Sequence, residues 1–142
     1  MNHPPRKKLL IAVREEDMPL ARAVLGFDFD VVCCHTIEAA KRMLGEGIDV
    51  VVSGVHFDSG AVFELLQHVR SSSMHGKLPF FVLLDSGHRY SYSPAIIHGL
   101  KTAAKALKAT EFIDLAALVE QFGRKEAVEI LRRGIRDASV QQ

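Results

Sequence analysis

The sequence has no tryptophan and only two cysteines, and those two, Cys33 and Cys34, are adjacent. Neighbouring cysteines inside an apolar run cannot staple distant segments together, and they lack the spacing of a metal-binding Cys-x-x-Cys pair. A disulfide scaffold and a Cys-x-x-Cys metal pair are therefore excluded, and reduced thiols packed as small apolar side chains in a bacterial-type cytoplasm are expected. An excess of one charge is also missing. The 18 Lys and Arg nearly balance the 17 Asp and Glu, for a net +1, which gives no electrostatic reason to expect a nucleic-acid or membrane partner. Long hydrophobic runs are absent too. The start "MNHPPRKKLLIAV" puts basic residues before an apolar stretch, as a secretory signal does, but the stretch stops after Val13 at "REED". It is too short for a signal core or a membrane span.

What is present is a chain of 142 residues, 48% of them hydrophobic, enough for one domain with a substantial core and too little for two ordinary ones. One domain over residues 1–142 is expected, with its core at about 7–138. Apolar runs of strand length occur at Leu9 to Val13, Asp30 to Cys34, Asp49 to Ser53, Phe80 to Leu84 and Glu111 to Leu115. They are continuous and do not alternate with polar residues, the pattern of parallel strands buried on both faces. Segments of helical period separate them. Asp17 with Pro19, Thr36, and Ser93 with Pro94 are helix-start signals, Val62, Leu65, Leu66 and Val69 form one apolar stripe, and a last helix is expected from about Lys125 to Ala138. Five strands alternating with five helices, joined by right-handed crossovers, make a doubly wound α/β domain.

In such a sheet, chemistry sits outside the carboxyl ends of the strands. The loops there carry Arg14, Glu15, Glu16 and Asp17 after the first strand, Gly54, Val55, His56, Phe57 and Asp58 after the third, and Asp85, Ser86 and His88 after the fourth. With "HTIEAAKRMLGEGIDVVVSG", "FELLQHVR" and "LPFFVLL", this pattern resembles the receiver domain of the response-regulator family over roughly Lys7 to Arg136. The resemblance implies a flavodoxin-like fold with a five-stranded parallel sheet in order 2-1-3-4-5. It also implies a phosphoryl site: a nucleophilic Asp at the end of the third strand, an acidic pair that helps hold Mg²⁺, a Thr or Ser ending the fourth strand, and a Lys ending the fifth.

Set against that pattern, Gly54 stands at the phosphoacceptor position, Leu84 at the hydroxyl position and Asp114/Leu115 at the lysine position. Of the phosphoryl-site pattern only the acidic pair persists, as Glu15 and Glu16. No cofactor and no enzymatic activity are expected. Asp58, four residues beyond Gly54, suits an N-cap of the third helix, or else serves as an atypical phosphoacceptor. His35, His56 and His88 all follow strand ends, but strand order keeps His35 too far from His56 for one metal shell. The stretch "SGHRYSYSP", with Arg89, Tyr90 and Tyr92, has residue types favoured in recognition surfaces.

These features point to a degenerate receiver, a pseudo-receiver acting in bacterial signal transduction by phosphorylation-independent protein contact. The resemblance places that contact on the fourth helix, fifth strand and fifth helix, framed by Lys101, Lys105, Arg132 and Arg133. Because the chain ends soon after its last helix, output through a separate protein partner of a signalling pathway, or through a homodimer, is expected. Two alternatives stand beside it. One is a small-molecule or cation sensor using the pocket left by the missing side chains, among Glu15, Glu16, Gly54, His56, Asp58, Asp85 and His88. The other is an enzyme on the same sheet, for which neither a Gly-rich phosphate loop nor a placed nucleophile is visible.

Overall fold

The computed structural model describes residues 6–85 and 92–140. Its five strands are β1 (Lys8–Ala12), β2 (Asp30–Cys34), β3 (Val50–Gly54), β4 (Phe80–Leu84) and β5 (Glu111–Asp114), all parallel in the order β2-β1-β3-β4-β5. Six helices cover them: α1 (Met18–Leu25), α2 (Ile37–Met43), α3 (Val62–Ser71), α4 (Pro94–Ala106), α5 (Leu115–Phe122) and α6 (Arg124–Val140). Among the described residues, no helix is long and apolar enough to cross a membrane.

The continuous apolar strands are explained by burial on both faces. Leu10, Val51, Phe80 and Val82 pack with Leu44, Leu65 and Leu66 beneath α2, α3 and α4. Their alternating neighbours Leu9, Ile11, Val50, Val52 and Phe81 pack with Leu25, Leu131 and Ile135 under α1 and α6. Period two thus assigns each strand residue to one layer. Gly54 shares the parity of Val50 and Val52 and so faces the α1/α6 layer.

Two helix starts follow the sequence signals directly. The Thr36 hydroxyl accepts from Ala39 N–H at 3.2 Å, and the Ser93 hydroxyl accepts from Ile96 N–H at 3.3 Å, each satisfying a donor that the first helical turn leaves unpaired. Asp17 occupies the cap position of α1 without making a side-chain cap, because its carboxylate is taken by Arg14.

The described residues form one α-helix more than the alternation predicted. α5 follows β5 with no intervening turn, started by the Asp114 carboxylate, which accepts from Ala117 N–H at 3.1 Å. Gly123, at φ 85° and ψ 162°, then breaks the path between α5 and α6, a backbone region essentially reserved for glycine. α5 buries none of its residues completely, although it carries Leu115, Leu118, Val119 and Phe122. α4 buries only Ala104.

Candidate functional site

The carboxyl ends of β1, β3 and β4 converge on Arg14, which the sequence places at the head of the acidic run after β1. Its Nε donates to Asp17 Oδ2 at 2.8 Å and its Nη2 to Asp17 Oδ1 at 3.1 Å, the two-pronged geometry in which guanidinium meets carboxylate best. Nη2 also lies 3.8 Å from Asp85 Oδ2, and Nη1 lies 3.7 Å from Glu16 Oε2. Asp17 follows β1 and Asp85 follows β4, while β3 runs between those strands. The Arg14 side chain, 18% exposed, therefore crosses the end of β3, where Gly54 stands. The visible signal was a lone basic residue heading an acidic run, but its reach to Asp85 depends on strand order.

Gly54 pairs in register with Leu83, and a Cβ built on it would meet Val13 Cγ1 at 3.4 Å, so a side chain could be accommodated there. Leu84 is buried, and its register partner Asp114 caps α5. Leu115 is the first residue of that helix. Glu15 and Glu16 lie exposed on a 3-10 turn.

Asp58 does not cap the third helix, as its sequence position suggested. Its carboxylate accepts from Ile37 N–H at 2.8 Å and so caps α2 from a different loop. To do this the backbone enters the left-handed region, φ 41° at Asp58 and 56° at Ser59, which Asp tolerates better than most residues.

His56 is half-buried and stacks on Tyr92, with ring centroids 5.6 Å apart and an interplanar angle of 17°. Both rings, with Glu15, His35, Asp58 and Phe63, line an open cleft of about 600 Å³. His35 and His56 thus share one cleft wall, yet among the described residues no group of three or more His, Cys, Asp or Glu is placed to hold a metal ion. His88, Ser86, Arg89 and Tyr90 lie outside the described residues.

Burial, and after it the Arg14 guanidinium, push the His56 imidazole below its ordinary 6.5, while Asp85 and Asp17 pull it up. Unfolded His56 takes up its proton near 6.5 and the folded form only at lower pH. Its contribution to stability is therefore complete above 6.5 and is lost as pH falls toward the folded pKa. A His56 imidazole NMR titration is expected to give a midpoint below 6.5, and the midpoint should rise in Arg14→Ala. A wild-type midpoint at or above the ordinary value would show that Arg14 and burial do not govern this ring.

Of the four basic residues expected to frame one surface, Arg132 is engaged elsewhere. Lys101 and Lys105 are exposed on α4. Arg132 instead turns toward the α1–β2 connection, where Nε donates to Asp28 Oδ2 at 3.1 Å and the guanidinium lies 5.6 Å from the Phe27 ring centroid. Arg133 is half-exposed beside Glu126 at 3.7 Å.

No family model and no curated protein matches the sequence. Solved structures do match. The chain is similar to the chemotaxis response regulator CheY4 of Vibrio cholerae at 22% identity and a TM-score of 0.61, covering 90% of this chain and 98% of that one. It is similar to the signal receiver domain of an HD domain-containing protein from Pseudomonas fluorescens Pf-5 at 13% identity and a TM-score of 0.67, covering 99% and 94%. The Mn(2+)-bound form of response regulator Rcp1 matches at 15% identity and a TM-score of 0.62, over 90% of each chain. The fold is that of response-regulator receiver domains.

Proposed function

We propose that the chain, as one receiver-type unit, has lost phosphoryl transfer and acts in bacterial signal transduction by phosphorylation-independent contact with a protein partner. The observation that carries this is the Arg14 guanidinium spanning Asp17 and Asp85 above Gly54. One structural neighbour holds Mn(2+), but here the carboxylates at the strand ends already have an internal cation. A divalent ion would meet the charge of Arg14, so the donor set does not fit one. With Gly54 in place of a nucleophile and Asp114 committed to capping α5, the groups that would attack, bind and neutralise a phosphoryl group have other tasks or no side chain.

The partner surface we favour is the β5 edge with α4 and α5. It combines exposed Lys101 and Lys105 with Ile96, 51% exposed on α4, and Phe122, 47% exposed on α5. A cleft of about 260 Å³ runs beside it, lined by Lys101, Phe112, Ala117, Ile130 and Gly134. Apolar side chains rimmed by charge on weakly buried helices suit a protein contact.

The test is capture of partners from the native cell by wild type and by Lys101→Glu/Lys105→Glu, each with and without acetyl phosphate and Mg²⁺. Capture is expected to be unchanged by acetyl phosphate and to fall at least tenfold in the double variant, whose circular dichroism should be unaltered. Capture that requires acetyl phosphate would contradict the proposal, and capture that survives the double change would move the surface elsewhere.

A further inference from the structure

The layer between the sheet and α1, α5 and α6 is not closed. Ile11 and Val52 on the sheet, Val24 on α1, Val119 on α5, and Val128 and Leu131 on α6 line a cleft of about 200 Å³ whose wall is predominantly apolar. Gly54 belongs to the same wall and contributes no side chain, and Leu20, at its edge, is 70% exposed. The other layer is filled by large side chains, among them Phe57, Leu65, Leu66 and Phe80, all at 0% exposure. An apolar cavity of about 150 Å³ lined by aliphatic groups stays dry and takes up benzene. The present cleft therefore has room for an apolar body of that size or somewhat larger.

Its polar wall is formed by Arg14, Asp17, Asp85, His56 and Arg124. Arg14 is shared between Asp17 and Asp85. Arg124, the exposed first residue of α6, has no ion-pair partner among the described residues, so it is the cation left to face a bound molecule. A guanidinium at the mouth of an apolar slot selects a carboxylate by charge-assisted hydrogen bonds.

We propose that this cleft binds a small apolar monocarboxylic acid, with its hydrocarbon body between α1 and α6 and its carboxylate on the Arg124 guanidinium. The site faces the α1/α6 layer and meets the open cleft of His35 and Tyr92 at Arg14, Val55 and His56, and it stands whether or not the chain works through a protein partner.

The test uses the full chain, methyl-labelled for NMR and titrated with hexanoate and, in parallel, with 1-hexanol of the same length but no charge. Hexanoate is expected to shift the methyl resonances of Val24, Val119 and Val128 and to leave those of Leu65 and Leu66 in place. Binding of 1-hexanol should be at least about tenfold weaker. Arg124→Gln, a change at an exposed position, should keep the circular dichroism spectrum and weaken hexanoate to the level of the alcohol. The proposal is overturned if neither compound moves the three valine methyls, if both bind equally, or if Arg124→Gln binds hexanoate as wild type does.

Discussion

Arg132→Glu is expected to lower stability by about 3 kcal/mol, while Arg133→Glu, one residue further on, changes it by less than about 0.5 kcal/mol. The difference comes from what each side chain touches. Arg132 donates to Asp28 at 3.1 Å and to Glu129 at 3.3 Å, and its guanidinium lies over Phe27. The Asp28 side chain is only 17% exposed, so reversing the charge presses a second carboxylate against a partly desolvated one. Only Arg136, at 3.7 Å from Asp28, remains to offset the pair. Arg133 and Glu126 are both more than half exposed, and solvent screens such a pair to little net value. Urea denaturation of the two variants measures the contrast. Equal small effects would mean that Arg132 does not fasten α6 to the α1–β2 connection. A stability loss at Arg132 also removes it from any test of partner binding, which should use Lys101 and Lys105.

Asp58→Ala is expected to cost about 2 kcal/mol, the sum of a lost helix cap and of forcing alanine into a left-handed backbone. Asp58 sits at φ 41° and holds the Ile37 N–H at 2.8 Å, so one side chain anchors α2 to the loop after β3. Asn keeps both properties, since its amide oxygen can accept the same bond and it tolerates positive φ. Asp58→Asn should therefore cost less than half as much as the alanine change, and Asp58→Gly, which relieves the backbone but loses the cap, should fall between them. The midpoint order Asn, Gly, Ala in urea is the expected result. Equal losses for Ala and Asn would show that the cap contributes nothing.

These effects mark where the sequence could be read and where it could not. β4 was legible to the residue because a strand covered on both faces must be apolar throughout, and β2, at the sheet edge, because its apolar run is bounded at its start by exposed Asp30. α5 was not, because it begins directly after Asp114 without a turn residue, and Leu115 prolongs the apolar run of β5. That Gly54 lies at the end of β3 could be read from where the apolar run stops. The destination of a charged side chain could not. Arg132 meets Asp28 across 104 positions of sequence, and Arg14 reaches Asp85 because a single strand, β3, separates β1 from β4. Helical period assigns a residue to a face, and only the packed neighbours determine what that face meets.

Loss of phosphoryl transfer is tested most directly by intact-mass spectrometry after incubating the wild-type chain with acetyl phosphate and Mg²⁺, with Gly54→Asp alongside. The Cβ of a residue at position 54 would meet Val13 Cγ1 at 3.4 Å, so the aspartate can be built. It would still join Asp17 and Asp85 beneath Arg14, beside Leu84 and with Asp114 turned to α5. A further negative charge there disfavours an incoming phosphate, and no hydroxyl at position 84 is present to bind it. The expected result is an unchanged mass for both proteins. A gain of one phosphoryl group on the wild type would contradict the loss of phosphoryl transfer and make Asp58 the first acceptor to map.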